Sequence, residues 1–419
     1  MVSIKSVFAR SILDSKGIPT VETTITLSDN SILSASVPSG TSVGRFEAKE
    51  LRDDDPNQFE GKSVNRAVNN VNTVIAQNLT GKDPRNQEKI DDLLLSLDGS
   101  QDKSNLGANA IISASIAVAK AGAKVEKLPL YKYIANLCGN QNLTLPRILS
   151  NLINGGLHAG KNVDIQEFLV IPYRVNSIRE SIRQLVHINA VLRETLIASG
   201  FQPLVGDEGG FAPHLESNEK ALSLLEEVVR ASGFVLGNDI YLGMDAAASS
   251  FYKDGYYHIK DLKEDLTGAE LGTFYKQLAE RYQLLYLEDP FSEDDIPSWQ
   301  AFPSIAPQTL IITGDDLTVT NPERLAMALE KQLIRGIIIK PNQIGTLTEA
   351  LKVVNHAKQA GLQIIVSHRS GETDDDFIAD IAVGVSSNFA KFGAPVRGER
   401  VAKYNRLLKI ESELTGQDI

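Results

Sequence analysis

One cysteine, Cys138, stands in 419 residues, and a lone thiol cannot close an intrachain disulfide. A small fold stapled by disulfides is excluded, and a reducing compartment is the expected home. No apolar run approaches the roughly 18 residues that a spanning helix requires, so no membrane span is expected. Positive charge is also scarce: 42 Lys and Arg against 53 Asp and Glu leave a net charge of −11. With no basic stripe, a nucleic-acid partner is not expected. An anionic ligand would need local cations to offset the field of the whole protein. The opening residues Ser3-Ile4-Lys5-Ser6-Val7-Phe8 alternate like a strand and do not read as a signal peptide. A cytoplasmic protein is the expectation.

What is present suits a large globular protein. The chain exceeds the roughly 250 residues of a barrel domain, which leaves room for a smaller companion. Residues 3–37 read as an antiparallel meander, with Thr20 to Leu27 and Ser31 to Val37 flanking a Ser28-Asp29-Asn30 turn. Helical periodicity follows over 64–79, 87–97 and 106–125. Strands followed by segregated helices predict an α+β domain, placed at residues 1–135, with the pattern breaking between 126 and 145. Beyond it, strands and amphipathic helices alternate. Thr320 or Asn321 can cap a helix with Pro322 in its first turn, Thr346 can cap another, and Gly361 sits where that helix should stop. The predicted architecture is an N-terminal α+β domain, a three-stranded meander plus helices, followed by a (β/α)8 barrel over 136–419 with a parallel sheet. The polar residues 411–419 are expected to fray.

Six apolar runs in the second half each end at a reactive side chain. They end at Asp245, Glu288, Asp315, Lys340, His368 and, after a weaker run, Lys391. Their spacing is near that of βαβ units, about 30 residues each. Groups at the C-terminal ends of successive barrel strands meet at one mouth, where such barrels keep their active sites. Any one of the carboxylates Asp245, Glu288 and Asp315 could equally cap a following helix. Three together, with oxygen ligands and no cysteine, point to Mg²⁺. Asp289 and Asp316, next along the chain, fall on the opposite strand face and are expected to support the ligand residues from behind or to make salt bridges.

A lysine at a barrel rim is ordinarily a surface cation. Beside divalent cations in a dry pocket, Lys340 would lose its proton more readily and act as a general base. Lys391 divides evenly between a substrate clamp and a surface charge. Glu208 lies between glycines in Gly206-Asp207-Glu208-Gly209-Gly210, and Glu167 opens the apolar run that follows it. Paired acids opposed to a base suit a reaction that takes one proton off and puts another on. Ser367-His368-Arg369-Ser370-Gly371-Glu372 offers a phosphate grip. His187, His214, His258 and His356 lack such neighbours and read as structural or surface residues. Glycine-rich loops at 38–44 and 154–160 have the composition of closing lids.

These residues place the chain in recognisable company. Asp14-Ser15 with Gly17 and Pro19-Thr20-Val21-Glu22, the Pro38-Ser39-Gly40 loop, Val163 to Phe168, and Gly206 to Pro213 are marks of one family. So are Leu287-Glu288-Asp289-Pro290-Phe291, Gly314-Asp315-Asp316-Leu317, Lys340 with Asn342-Gln343-Ile344-Gly345, and Ser367 to Thr373. Over essentially its whole length the chain resembles the enolases. A lysine or histidine base with one or two Mg²⁺ ions is the general description of that superfamily. The resemblance implies reversible dehydration of 2-phosphoglycerate to phosphoenolpyruvate. Lys340 would take the C2 proton, and Glu208, assisted by Glu167, would protonate the departing 3-hydroxyl. Asp245, Glu288 and Asp315 would hold a first Mg²⁺, with a second arriving with substrate and met by Ser39. Lys391 and Gln166 would meet substrate oxygens, Arg369 and Ser370 the phosphate, and His158 and His368 would close over the product side. A homodimer or higher homo-oligomer is implied by resemblance alone.

The family usually has Arg at Lys16, Asn at Ile18, Ala and Thr at Thr41 and Val43, and commonly Thr at Phe392. These departures bear on lid closure, second-ion affinity and the setting of Lys391, yet no matched catalytic group is missing. Two rival readings are weaker. Superfamily relatives that racemise or cycloisomerise carry a Lys-x-Lys pair on an early barrel strand, where Asp164 to Phe168 stands here. A plasminogen-binding role draws on C-terminal lysines, and this chain ends Thr415-Gly416-Gln417-Asp418-Ile419.

Overall fold

The structure, a computed structural model, describes residues 2–40 and 44–416. Strands β1 (Ile4–Leu13), β2 (Pro19–Leu27) and β3 (Ile32–Ser36) pair antiparallel in that order, as the alternation predicts. Val21, Thr23, Ile25 and Leu27 are buried, one side chain in two along β2. They face the helix Ala108–Glu126, whose many small residues let it lie close to the sheet. The 64–79 pattern forms a helix from Asn65 to Leu79 with a π-turn at Val71–Ile75. Within it, Asn72 hydrogen-bonds both the amide and the carbonyl of Ala9, at 2.6 and 3.0 Å, and so covers part of the free edge of β1. Where the pattern was expected to break, a helix forms at Leu130–Leu137. It packs against the helix Phe377–Gly384, where a Cβ on Gly384 would fall 2.7 Å from the Tyr131 carbonyl.

The barrel strands are β4 (Arg147–Asn154), β5 (Glu167–Pro172) and β6 (Ile240–Asp245); a small hairpin, β7 (Tyr252–Lys253) and β8 (Tyr256–Tyr257), intervenes. Then come β9 (Leu284–Glu288), β10 (Ile311–Gly314), β11 (Gly336–Ile339), β12 (Gln363–Ser367) and β13 (Phe389–Lys391). The closed order is β10-β11-β12-β13-β4-β5-β6-β9. One feature corrects the sequence reading: β5 runs antiparallel to both its neighbours. The connection from β4 holds only a single turn, Gly156–Ala159, and no crossover helix. The chain therefore re-enters the barrel at the rim it has just left. Glu167 consequently reaches the mouth from the start of its strand, while the other strands deliver their groups from their ends.

Leu149, Leu169, Ile171, Tyr286, Ile338, Ile365 and Phe389 form an apolar cluster separate from the one the helices cover. Tyr286 and Phe389 precede Glu288 and Lys391 by two residues, so they share a strand face and plug the barrel beneath them. The C-terminal expectation is overturned in part. A helix runs from Gly398 to Thr415, and Glu411 is buried within it. Its carboxylate accepts the Ile178 and Arg179 amides at 2.7 and 3.0 Å, capping the helix Ile178–Ala198 from outside. Polarity there marks a cap rather than a frayed end; residues 417–419 lie outside the described range. Among the described residues no helix is long and apolar enough to cross a membrane.

The two parts of the chain meet at Asp91. Its buried carboxylate accepts from Gln87, from the Ser115 hydroxyl and from both the amide and hydroxyl of Thr348, at the start of the helix Leu347–Gln359. Its partners carry no charge, and burial raises its pKa. Asp91→Ala would orphan several buried donors at about 1–3 kcal/mol each. We expect the urea midpoint to fall by an amount equivalent to about 3 kcal/mol. A midpoint unchanged from the parent would contradict the contact's importance.

Candidate active site

Strand register sets the site. Asn154 lies beside Glu167, Glu167 beside Asp245, and Asp245 beside Glu288, a row across four neighbouring strands. Lys391, at the end of β13, reaches this row. Its Nζ lies 2.7 Å from Glu288 Oε2, 3.0 Å from Glu167 Oε2 and 3.2 Å from Asp245 Oδ2. All four side chains are buried, which rules out the surface-charge reading of Lys391. Burial alone would strip its proton, but the three carboxylates outweigh that and hold the ammonium well above its ordinary range. Burial and the charge of Asp245 push Glu288 up to about 8. Gln166 donates to Asp245 Oδ2 at 3.3 Å from the same rim.

Asp315 is engaged elsewhere. It accepts from Lys340, and from Gln343 at 3.0 Å. The structure brings Asp245 and Glu288 together around Lys391 but leaves Asp315 one step away, paired with Lys340. Asp315 instead shares a cluster with Asp289 and Asp316, with carboxylate oxygens within 4.8 Å of one another. Asp289 and Asp316 line the same pocket and do not lie on an opposite face, although Asp289 does support Asp315 from the end of the neighbouring strand. Asp289 has left the strand with φ 41° and accepts the amides of Asp315 and Asp316 at 3.0 and 2.8 Å. The expected shift of Lys340 also reverses here. Burial disfavours its charge, but Asp315 overrides this and raises its pKa.

A second group forms around Glu208, in a turn where Gly209 has φ +87°. Asn151, on β4, donates to Glu208 Oε2 at 3.0 Å. His368 Nε2 and His158 Nδ1 stand 3.4 and 3.6 Å from Glu208 Oε1. Glu167, Glu208 and His158 lie within 4.8 Å through their polar atoms. Burial and the Glu208 charge raise Glu167 well above the carboxylate range. Burial acts on Glu208 in the same sense, but the neighbouring imidazoles and Arg400 overcome it and keep it low. The opposite shifts mean that a proton shared by the pair would sit on Glu167 in preference to Glu208.

Arg369 and Ser370 border the same pocket. The Arg369 guanidinium makes a two-point contact with Glu47, at 2.8 and 3.2 Å, both residues buried. Ser39 is buried but outside this pocket's lining. Its hydroxyl donates to Asp14 at 2.5 Å, and its backbone pairs with Gly371. Of the departures, Lys16 pairs with Asp207 at 2.6 Å, the Ile18 amide donates to Asp14 and Phe392 is buried edge-on to Tyr404. Thr41 and Val43 lie outside the described residues.

Sequence reasoning missed Glu47, Asn151 and Arg400. Glu47 lies in an irregular loop with no period to single it out. Asn151 left one signal, a polar residue inside the apolar strand Arg147–Asn154. The donor set suits a hard cation: Glu288 Oε1 is buried without a hydrogen-bond partner, and carboxylates crowd around it.

Comparison with known proteins agrees with the geometry. The family described as the enolase N-terminal domain matches residues 4–134, and that described as the enolase C-terminal TIM barrel domain matches 142–419. The enolase of Bdellovibrio bacteriovorus is 46% identical over 419 residues, covering 100% of this chain and 98% of that protein. With both domains and a full-length relative accounted for, the chain belongs to the enolase family, whose members are hydro-lyases.

Proposed function

We propose that this chain catalyses the reversible, Mg²⁺-dependent dehydration of 2-phosphoglycerate to phosphoenolpyruvate. The supporting observation is the placement of Lys340 and Glu167. Lys340 immediately follows β11 and Glu167 opens β5, strands four apart in a ring of eight, so the two stand across the mouth from each other. A base on one side and a protonated acid on the other can remove the C2 proton and help expel the 3-hydroxyl across one substrate.

Asp245, Glu288 and Asp315 are the residues to hold Mg²⁺. Bound there, Mg²⁺ would neutralise the second negative charge that grows on the substrate carboxylate as C2 loses its proton. Lys340 becomes a usable base once Asp315 is drawn away from it. Glu167 supplies the proton, which passes through Glu208 to the leaving oxygen, so the hydroxyl departs as water and Glu208 returns to its carboxylate form. Lys391 and Gln166 face the substrate carboxylate. Arg369 and Ser370 take the phosphate, in competition with Glu47 for the same guanidinium. A role for Ser39 with a second ion requires its hydroxyl to leave Asp14.

Incubation with Mg²⁺ and 2-phosphoglycerate should raise the ultraviolet absorbance of the enol phosphate, and a chelator should stop it. No turnover with Mg²⁺ present would refute the proposal. The charge state of Glu288 adds a sharper test. A carboxyl with its pKa near 8 must lose a proton before it can hold a cation. Mg²⁺ affinity, by calorimetry, should therefore rise by up to about tenfold per pH unit from roughly pH 6 and level off above 8. A flat affinity over that window would contradict it.

A further inference from the structure

The helix Gly398–Thr415 starts directly behind the site, and its third residue, Arg400, is fully buried. Four of its N–H groups are engaged. Nη1 contacts His368 Nδ1 at 2.8 Å and donates to the Arg369 carbonyl at 2.6 Å. Nη2 donates to the carbonyls of Asp207 and Ser370 at 3.1 and 2.6 Å. Glu399 Oε1 is 3.6 Å from Nε, beyond hydrogen-bond distance. One guanidinium thus grips the loop that carries Glu208, the loop that carries Arg369 and Ser370, and the imidazole between them.

A guanidinium can only donate. Facing it, His368 Nδ1 must offer its lone pair, so the neutral ring carries its proton on Nε2. That Nε2 is buried without a hydrogen-bond partner and lies 3.4 Å from Glu208 Oε1. Burial, with Arg400 opposing the pull of Glu208, lowers the imidazole to about 4 and keeps it neutral. The packing admits little slack. A Cβ on Gly393, where φ is +78°, would fall 2.5 Å from the Glu208 carbonyl, 3.0 Å from His368 Cε1 and 3.3 Å from Arg400 Cδ.

We infer that Arg400 is a positioning residue: it selects the His368 tautomer whose Nε2–H faces Glu208, and it fixes the distance between the acid loop and the phosphate loop. The use made of that N–H rests on the dehydratase reading; the tautomer does not. A neutral N–H holds the Glu208 carboxylate by a hydrogen bond alone and adds no full positive charge beside it, so Glu208 can still accept and pass on a proton. Lysine could not serve all four acceptors, because an ammonium has three N–H groups from one nitrogen.

The test is ¹⁵N spectroscopy of the histidine-labelled full-length protein at pH 7, with the His368 signals assigned by their loss in His368→Gln. The expected result is a lone-pair Nδ1 and a protonated Nε2. In Arg400→Met, the two nitrogens should move toward averaged shifts and kcat should fall by about 10–100-fold. Arg400→Lys, which keeps a donor for Nδ1, should retain the parent tautomer. A protonated Nδ1 in the parent protein, or parent shifts and kcat in a folded Arg400→Met, would overturn the inference. Should Arg400→Met fail to fold, the parent and Arg400→Lys spectra decide alone. If the tautomer is as expected while the same sample leaves 2-phosphoglycerate unchanged, the dehydratase reading fails and this assignment stands.

Discussion

Lys340→Gln should lower kcat by roughly a hundred- to ten-thousandfold, the usual contribution of a general base. Glutamine retains an N–H for Asp315, so the loss would not reflect an abandoned buried carboxylate. It cannot take a proton from carbon. Deuterium exchange at C2 of 2-phosphoglycerate isolates the step. Exchange should vanish in Lys340→Gln but persist in Glu208→Gln, where dehydration fails at the departing hydroxyl. Exchange that survives in Lys340→Gln would assign the base to another residue. The hydrogen bond from Lys340 to Asp315 also explains why the resting lysine is charged. Its basicity depends on what Asp315 does, so the two residues should couple in a double-mutant cycle.

Lys391→Met should be the most destabilising single change in the site. It would leave Glu167, Asp245 and Glu288 buried side by side without the cation that joins them. Removing one partner of a buried ion pair costs about 3–5 kcal/mol because the other charge stays desolvated. Relief comes only from protonation, which defines a pH signature. Carboxyls whose folded pKa is raised bind more protons in the native state than in the unfolded chain. Stability then falls as pH rises from the unfolded carboxyl pKa through the folded one, and for Glu288 that upper limit is already about 8 with the lysine in place. Urea midpoints measured without Mg²⁺ should show a larger deficit at pH 8 than at pH 6. Equal deficits at both values would mean that the carboxylates find another way to avoid one another.

Much of this protein is legible from local pattern. The period-two burial of β2, the caps at Asn321 and Thr346, and the apolar runs ending at Asp245, Glu288 and Lys391 depend on residues close together in the chain. The left-handed Gly361 after the helix Leu347–Gln359 belongs to the same class. Other features had no local signature. The reversal of β5 follows from a connection without a crossover helix, and that reversal brings Glu167 to the rim. The cap supplied by Glu411 spans more than two hundred residues. Strand alternation misjudged Asp289 because the backbone leaves the extended region at that residue.

By itself, the order of residues determined which side chains end the barrel strands and therefore which groups reach the mouth, because periodicity is a property of near neighbours. Which lysine serves which carboxylate, why Glu167 is shifted up while Glu208 is shifted down, and how Arg400 stands behind His368 were decided only by closing the ring. Charges buried at one rim choose partners by distance and solvation, and those are set when strands far apart in the chain become adjacent.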